Sequence, residues 1–133
     1  MPLKLSLKPN EAVIVNGAVL RNGDRRGGMV LENTARVLRE KDVLHPETLQ
    51  TPEKRAYFAL MQMYLTGETT GKLYEALIEA LSDVLAKQSD DLHRQRALEV
   101  TRAAAAEETY VALSLARRLV KASDLAERGV QNG

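Results

Sequence analysis

The chain has 133 residues, of which 44% are hydrophobic and 28% charged, and its formal net charge is +1 at pH 7. This length suits one domain, or a small β unit joined to a helical one, and is enough to bury a sizeable core. The absence of cysteine excludes a disulfide framework, a thiolate metal site and a cysteine nucleophile. Because there is neither an apolar run of roughly 20 residues nor a signal-peptide pattern, we expect a cytoplasmic protein without a membrane span.

The N-terminal segment carries the pattern of short antiparallel strands. Residues 3–7 alternate leucine with polar residues, so one face of this strand is predicted to be buried. Asn16-Gly17 tolerates the positive φ of a two-residue hairpin loop, and the apolar triplets on either side are predicted to pair. Asn22-Gly23 is predicted to form a second turn for the same reason. Two further strands, at 29–31 and 35–39 and joined by a turn, bring the predicted total to about five.

From Thr51 onward the periodicity of the sequence becomes helical. Thr51 can cap a helix, Pro52 suits its first position, and Gly67 lies where a C-terminal cap is expected. A second helix is predicted from about residue 70 to residue 87. The apolar stripe of the first helix, which we expect to be core, comprises Tyr57, Leu60, Met61, Tyr64 and Leu65.

The stretch from residue 89 to about residue 127 is long enough for one helix, but its composition favours two. The alanines at 103–106 are followed by acidic residues at 107–108, which stabilise the start of a helix through its dipole. Arg117, Arg118 and Lys121 favour a helix C-terminus for the same reason. We therefore predict four helices after the β segment.

These elements predict an α+β fold, in which a small N-terminal antiparallel sheet packs with a bundle of about four helices. The β unit spans 1–45 and the helical unit 46–133, and we expect one compact domain because each has an apolar face to cover. The charge is uneven. Residues 1–42 carry eight Lys and Arg against five Asp and Glu, a net charge of +3, whereas the rest carry eleven against thirteen, a net charge of −2. The basic character belongs to the β unit.

A set of short motifs in the first 65 residues is distinctive as a group. The motifs are MPLKLSLKP at 1–9, NGAV at 16–19, NGDRR at 22–26, ARVLREKD at 35–42, and YF and MQMYL at 57–58 and 61–65. Together they resemble the FlbT family of flagellum biosynthesis regulators. Beyond Gly67 the resemblance is looser and depends mainly on Tyr110 and the Arg117-Arg118 pair. The alanines at 103–106 depart from it, since a glycine-containing break is expected there.

The resemblance implies post-transcriptional control of flagellin, through binding of the 5′ leader of flagellin messenger RNA and a change in its translation or decay. Arginine forks in the β unit suit phosphate contact, although this segment has no aromatic residue for base stacking. The predicted RNA-binding residues are Lys4, Lys8, Arg21, Arg25, Arg26, Arg36 and Arg39. The alternative is a solvated surface on which these cations pair with nearby acids.

Strand alternation constrains two of these cations. Arg36 and Arg39 fall on opposite faces of a regular strand, so both cannot lie on one exposed face. We expect one of them to form an ion pair or to lie at a strand end.

Other chemistry-bearing residues favour no enzyme. His45 and His93 lack the spacing of metal ligands and are interpreted as a turn residue and a helix-surface residue. Asp90 and Asp91 suit a helix start better than acid–base catalysis. We therefore predict no catalytic residue, no metal and no cofactor.

The resemblance, together with the basic β unit, thus implies an RNA-binding regulator that represses or modulates the translation and stability of flagellin messages. It is expected to be a homodimer because so small a sheet has edges to protect. The alternative is an adaptor whose helical half binds a flagellar regulatory protein or flagellin and acts on messenger RNA only indirectly. Its predicted partner-binding residues are Tyr110, Arg117 and Arg118.

Overall fold

The computed structural model describes residues 3–87 and 90–132, with side chains up to residue 126, and it confirms an α+β architecture. The strands are β1 (Leu3–Leu7), β2 (Ala12–Val15), β3 (Ala18–Arg21), β4 (Gly27–Leu31) and β5 (Val37–Arg39). The helices are α1 (Pro52–Thr66), α2 (Lys72–Ala86), α3 (Asp91–Ala105) and α4 (Thr109–Asn132). The chain forms two compact units, residues 1–43 and 44–133.

The five strands form two antiparallel sheets. One consists of β1 and β4, and the other has the order β3-β2-β5. The predicted hairpin is confirmed, because Val15 pairs with Ala18 across Asn16 and Gly17, whose φ angles are 49° and 85°. This places β2 at the centre of the three-stranded sheet, with β3 at one edge.

Two details of the predicted strands are wrong. The residues between β4 and β5 do not join paired strands, because β4 pairs with β1 and β5 pairs with β2. The last strand begins at Val37 and not at Ala35. The hairpin turn explains this late start: the side-chain oxygen of Asn16 accepts a hydrogen bond from the amide of Arg36 at 2.9 Å, and the Arg36 carbonyl accepts one from the amide of Asn16 at 2.8 Å.

The core of the β unit contains apolar residues from both sheets. Leu5, Leu7 and Val13 are buried, as the alternation in β1 predicts. Partly buried residues pack against them from β2, β4 and β5, namely Val15, Met29, Leu31 and Val37. Lys4 and Ser6, on the other face of β1, are exposed, and so is Leu3 at the start of the strand.

The four helices of the second unit form a closed ring, in which α1 contacts α2 and α4, and α3 contacts the same two helices. The start and end of α1 are confirmed. The Thr51 hydroxyl accepts a hydrogen bond from the Lys54 amide at 3.2 Å, and Gly67 ends the helix with a φ of 80°. The large buried side chains of the four-helix ring are Leu60, Met63, Leu77, Leu81, Val84, Val100, Leu113 and Leu119. From the predicted stripe of α1, Tyr57 and Met61 are also buried.

The predicted join between the last two helices is confirmed at residues 106–108. Glu107 has a φ of 60°, so a glutamate holds the left-handed conformation that a glycine adopts at many helix ends. The amides of Glu107 and Glu108 donate to the carbonyls of Ala104 and Ala103, each at 3.0 Å. These hydrogen bonds close the end of α3 in the absence of glycine.

The prediction that Arg117, Arg118 and Lys121 mark a helix C-terminus is wrong, because α4 continues to Asn132. The inward face of the helix extends past these residues, since Ser123 is buried one turn further on. The three cations therefore lie in the middle of α4. Asp90 caps α3 as expected, and the neighbouring Ser89 lies outside the described residues.

Candidate nucleic-acid interface

The loop between β3 and β4 is organised by the side chain of Asn22. Its amide nitrogen Nδ2 donates to the carbonyl oxygens of Leu7 at 3.3 Å, Lys8 at 2.9 Å and Arg25 at 2.8 Å. Its backbone amide donates to the Glu11 carbonyl at 2.8 Å. One side chain thus holds the arginine-bearing loop against the end of β1.

The sequence pattern predicts a turn at Asn22-Gly23 like that at Asn16-Gly17, and this prediction is wrong. Among the described residues, positive φ angles occur at Asn16 and Gly17 but not at Asn22 or Gly23. The reason is topological: the second loop connects β3 in one sheet to β4 in the other, whereas a two-residue turn joins paired neighbours.

Three of the predicted RNA-binding residues lie together around this loop. Leu7 pairs with Gly27, so Lys8 and Arg26 are the next residues beyond that end of the β1–β4 ladder. Arg25 is held beside them through the Asn22 side chain. Lys8, Arg25 and Arg26, which we name the loop cations, are exposed, and none forms an ion pair with a side chain that the structure describes.

Arg21 has a different setting, since its guanidinium supports the backbone. Its Nη1 donates to the Asn10 carbonyl at 2.7 Å and lies 3.8 Å from Oε1 of Glu40. The other carboxylate oxygen of Glu40 accepts a hydrogen bond from the Ala12 amide at 3.0 Å. These contacts hold the end of β3 in place.

Arg39 is also engaged. Its Nη1 donates to the Ser6 carbonyl at 3.0 Å and lies 3.5 Å from Oε2 of Glu11. The Lys8 amide donates to the same carboxylate at 2.8 Å, and this hydrogen bond, with help from Arg39, lowers the pKa of Glu11. The alternation argument is confirmed for both arginines, because Arg39 forms an ion pair and Arg36 lies just before β5.

The two remaining predicted cations lie apart from the loop cations. Lys4 lies on the same side of β1 as Lys8, four residues or about 13 Å along the strand. Arg36 is exposed beside the Asn16 turn, three residues or about 10 Å from Arg39. The structure therefore groups Lys8, Arg25 and Arg26 as cations without an ion pair among the described side chains. Arg21 and Arg39 are engaged with acids, and Lys4 and Arg36 lie further along their segments.

The predicted partner-binding residues of α4 do not form one surface. Tyr110 and Arg117 are seven residues apart and lie on nearly the same side of the helix, whereas Arg118 lies about 100° further round. The ring centre of Tyr110 is 5.5 Å from that of Tyr64 on α1, with a tilt of 50° between the rings. Arg117 is half-buried, and Arg118 is exposed.

The helical unit contains a cluster of polar groups around a buried carboxylate that the sequence analysis missed. Glu53, in the first turn of α1, is fully buried, and its Oε2 lies 2.8 Å from Nε2 of His93. The ammonium of Lys87 donates to both carboxylate oxygens of Glu53 at 3.0 Å. Burial opposes ionisation of Glu53, but the hydrogen bonds to His93 and Lys87 outweigh it and hold its pKa below the ordinary value.

The interpretation of His93 as a helix-surface residue is therefore wrong. The Asp90 cap accepts a hydrogen bond from the His93 amide at 2.7 Å and fixes the first turn of α3. His93 and Ala97, four residues apart, then fall on the buried face of the helix. The spacing of His93, Ala97 and Val100 was the available signal, and the polarity of α3 obscured it.

The described residues lack two other kinds of site. No three of the His, Asp or Glu side chains that the structure describes come together in a way that would hold a metal ion. None of the helices there combines the length and apolar character needed to cross a membrane.

The described residues thus form a small α+β protein with an exposed cationic loop on its β unit and a buried carboxylate in its helical unit. The chain belongs to the FlbT family, because the family model described as flagellar protein FlbT matches residues 3–125. No solved structure matches the chain significantly.

Relatives from several bacteria are similar over most of the chain. The flagellum biosynthesis repressor protein FlbT of Caulobacter vibrioides is 43% identical over 124 residues, which cover 93% of this chain and 88% of the relative. The probable flagellum biosynthesis repressor protein FlbT of a Caulobacter species is 41% identical over 124 residues, which cover 93% of this chain and 95% of the relative. The probable flagellum biosynthesis repressor protein FlbT of Rhodopseudomonas palustris is 37% identical over 87 residues, which cover 64% of this chain and 69% of the relative.

Proposed function

We propose that this FlbT-family protein regulates flagellum biosynthesis in the cytoplasm by binding the 5′ leader of flagellin messenger RNA and repressing its translation and stability. The names of the relatives support a repressor of flagellum biosynthesis. The observation that carries RNA binding is the group of loop cations around Asn22, which form no ion pairs with described side chains. This protein binds RNA without catalysing a reaction.

The mode of binding follows from the chemistry of the loop. Arginine forks contact phosphates in pairs of hydrogen bonds, and their planes stack on unpaired bases. The Asn22 side chain has no donor left for a base, because its Nδ2 already donates to three backbone carbonyls. With no aromatic residue in the β unit, phosphate contacts dominate, and binding is expected to depend steeply on salt.

The test is a titration of the purified chain onto a labelled flagellin leader RNA at several salt concentrations. For Arg25→Ala with Arg26→Ala we expect affinity to fall about tenfold near 0.15 M salt. The slope of log K against log salt should decrease by about 1.4, because two phosphate contacts are lost. Arg118→Ala with Lys121→Ala is the matched control, since it removes the same charge from the helical unit and should leave the affinity nearly unchanged.

Other outcomes would contradict the proposal. Equal losses in the two double variants would mean that net charge alone controls binding. A loss confined to the Arg118 and Lys121 variant would move the RNA surface to α4. If the folded wild-type chain bound no leader RNA, direct recognition would be rejected and the adaptor alternative favoured.

We also propose a homodimer, supported by the open edge of the three-stranded sheet. All four residues of β3 are exposed, and Val19 retains 66% of its accessible surface. Such an edge can pair with a second strand, which satisfies its backbone groups and covers its apolar residues. Sedimentation equilibrium should give a dimer mass for the wild-type chain and a monomer mass for Val19→Lys, and a wild-type monomer at micromolar concentration would reject the dimer.

A further inference from the structure

A groove of about 410 Å³ runs between α3 and α4 on the helical unit. From α3 it is lined by Leu92, Arg96 and Glu99, which are spaced four and three residues apart and share one side of the helix. The contribution of α4 is Leu115, Arg118, Lys121, Ala122 and Leu125. From Leu115 to Leu125 the helix rises about 15 Å, which is the length of a three-turn helix.

The groove exposes apolar surface that the bundle leaves uncovered. Leu92 and Leu125 both line this groove, and they remain 54% and 65% exposed to solvent. Leu115 and Ala122 are partly buried between them. Exposed leucines along a concave surface are typical of a site that receives an apolar side of a partner.

The charges around these leucines have one predominant sign. Arg96, Arg118 and Lys121 line the groove against the single carboxylate of Glu99. No described side chain forms an ion pair with any of the three cations. Their positive potential is therefore available to a ligand.

The groove between α1 and α2 provides an internal comparison. It measures about 280 Å³, and its lining includes Arg55, Glu79 and Asp83. Arg55 and Asp83 form an ion pair across it at 3.4 Å. The excess of positive charge is thus a property of the α3–α4 groove and not a general feature of grooves in this bundle.

We propose that the α3–α4 groove is a docking site for an acidic amphipathic helix of a partner protein. Apolar side chains of that helix would contact Leu92, Leu115 and Leu125, while its carboxylates would lie against the three cations. The partner is defined by charge complementarity, because a basic helix would be repelled and an uncharged one would leave the cations unpaired. This inference is independent of the proposed RNA binding, which involves the loop cations of the β unit.

The test uses two synthetic amphipathic peptides of about 14 residues, with leucines at three- and four-residue spacing. In one peptide glutamates fill the polar face, and in the other lysines do. Fluorescence anisotropy on the full chain should show saturable binding of the acidic peptide and at least tenfold weaker binding of the basic one. Arg118→Glu with Lys121→Glu should weaken binding of the acidic peptide by tenfold or more at low salt. The loss should be smaller at about 0.5 M salt, because salt screens the charges.

Matched variants separate the groove from general effects. Arg25→Glu with Arg26→Glu makes the same charge change on the β unit and should leave peptide binding intact. Leu125→Ser should weaken it severalfold, whereas Leu98→Ser, at an exposed site of α3 outside the groove, should not. Circular dichroism checks that the variants are folded. Because every substituted side chain is exposed, we expect each variant to fold.

Several results would overturn this proposal. They are the absence of binding by the acidic peptide, equal binding of a scrambled peptide with the same composition, and equal losses in the two charge-reversed variants. A wild-type dimer that becomes monomeric in the Leu125→Ser variant would show that a second copy covers the groove. Loss of leader RNA binding in the Arg118 and Lys121 variant, without loss of peptide binding, would assign the cations to RNA.

Discussion

The two units of this chain use carboxylates in opposite ways. In the β unit, the partly buried Glu11 and the exposed Glu40 accept backbone hydrogen bonds and approach Arg39 and Arg21. In the helical unit, Glu53 is fully buried and contacts both His93 and Lys87. The same residue type therefore supports an exposed loop framework in one unit and the interior of a bundle in the other.

This difference teaches that ion pairs cannot be judged from charge patterns alone. An exposed pair is worth little because water and salt screen it. Removing one member of a buried pair is costly because the partner charge remains desolvated. We therefore expect the stability of the helical unit to depend on Glu53 far more than that of the β unit depends on its surface pairs.

The largest effect is expected for Glu53→Ala. This substitution leaves the buried His93 ring without its acceptor, whereas the Lys87 ammonium, whose side chain is 42% exposed, can be hydrated. We therefore expect a loss of about 2 kcal/mol in the free energy of unfolding. Urea denaturation followed by circular dichroism measures it. Glu75→Ala, an exposed acid on α2, is the control and should change stability by less than about 0.5 kcal/mol. Equal losses of stability in the two variants would contradict the expectation that the helical unit depends on its buried carboxylate.

The next largest effect is expected on acidification. Because the pKa values of Glu53 and Glu11 are lowered below the ordinary value of 4.5, folding is stabilised above that value and loses this contribution as the pH falls through the folded pKa values. Urea midpoints measured from pH 7 to pH 3 should decrease mainly below pH 4.5. The decrease should be smaller in Glu53→Ala, and an unchanged pH profile in that variant would show that Glu53 does not titrate with folding.

A smaller loss of stability is expected for Asn22→Ala, which tests the framework of the β unit. It removes three hydrogen bonds to carbonyls near the surface, and we expect a cost of about 1–2 kcal/mol. Amide hydrogen exchange in β1 and β4 should quicken, and leader RNA affinity should fall although no cation has been removed. Asn33→Ala, at an exposed site, is the control. If both variants behaved alike, the loop cations would not depend on Asn22.

The smallest effect is expected for Glu107→Gly, and its sign is a gain. Glycine adopts the φ of 60° without strain, so the join between α3 and α4 should be stabilised by about 1 kcal/mol. The lost hydrogen bond between Thr69 and the Glu107 carboxylate offsets part of this gain. Ala106→Gly, where φ is −82°, should instead destabilise the protein by about 0.5 kcal/mol. Thermal unfolding of the two variants measures both the expected gain in stability and the expected loss.

Local signals were sufficient to predict most elements of the fold. Asn16-Gly17 located the first hairpin, Thr51 and Gly67 located the ends of α1, and Asp90 located the start of α3. Each acts through hydrogen bonds or φ preferences within a few residues of itself, so the sequence alone reveals it.

Long-range contacts were not predictable in the same way. β4 pairs with β1, whose residues lie 20 to 28 positions earlier in the chain, although β5 is nearer in sequence. Glu53 and His93 are 40 residues apart, and a glutamate in the first turn of a helix already has a local explanation in the helix dipole. The sequence could not show which of the predicted RNA-binding cations are engaged for the same reason. The acids that pair with Arg21 and Arg39, Glu40 and Glu11, are distant from them along the chain.

The Glu53 cluster also bears on how fast the helical unit comes apart. Its members lie in the first turn of α1, just after α2 and in the first turn of α3, so the cluster closes only when three helices are already in place. Contacts completed late in folding act mainly on the unfolding rate. The buried carboxylate is therefore expected to prolong the lifetime of the native bundle, while the rate at which a new chain folds stays nearly the same without it.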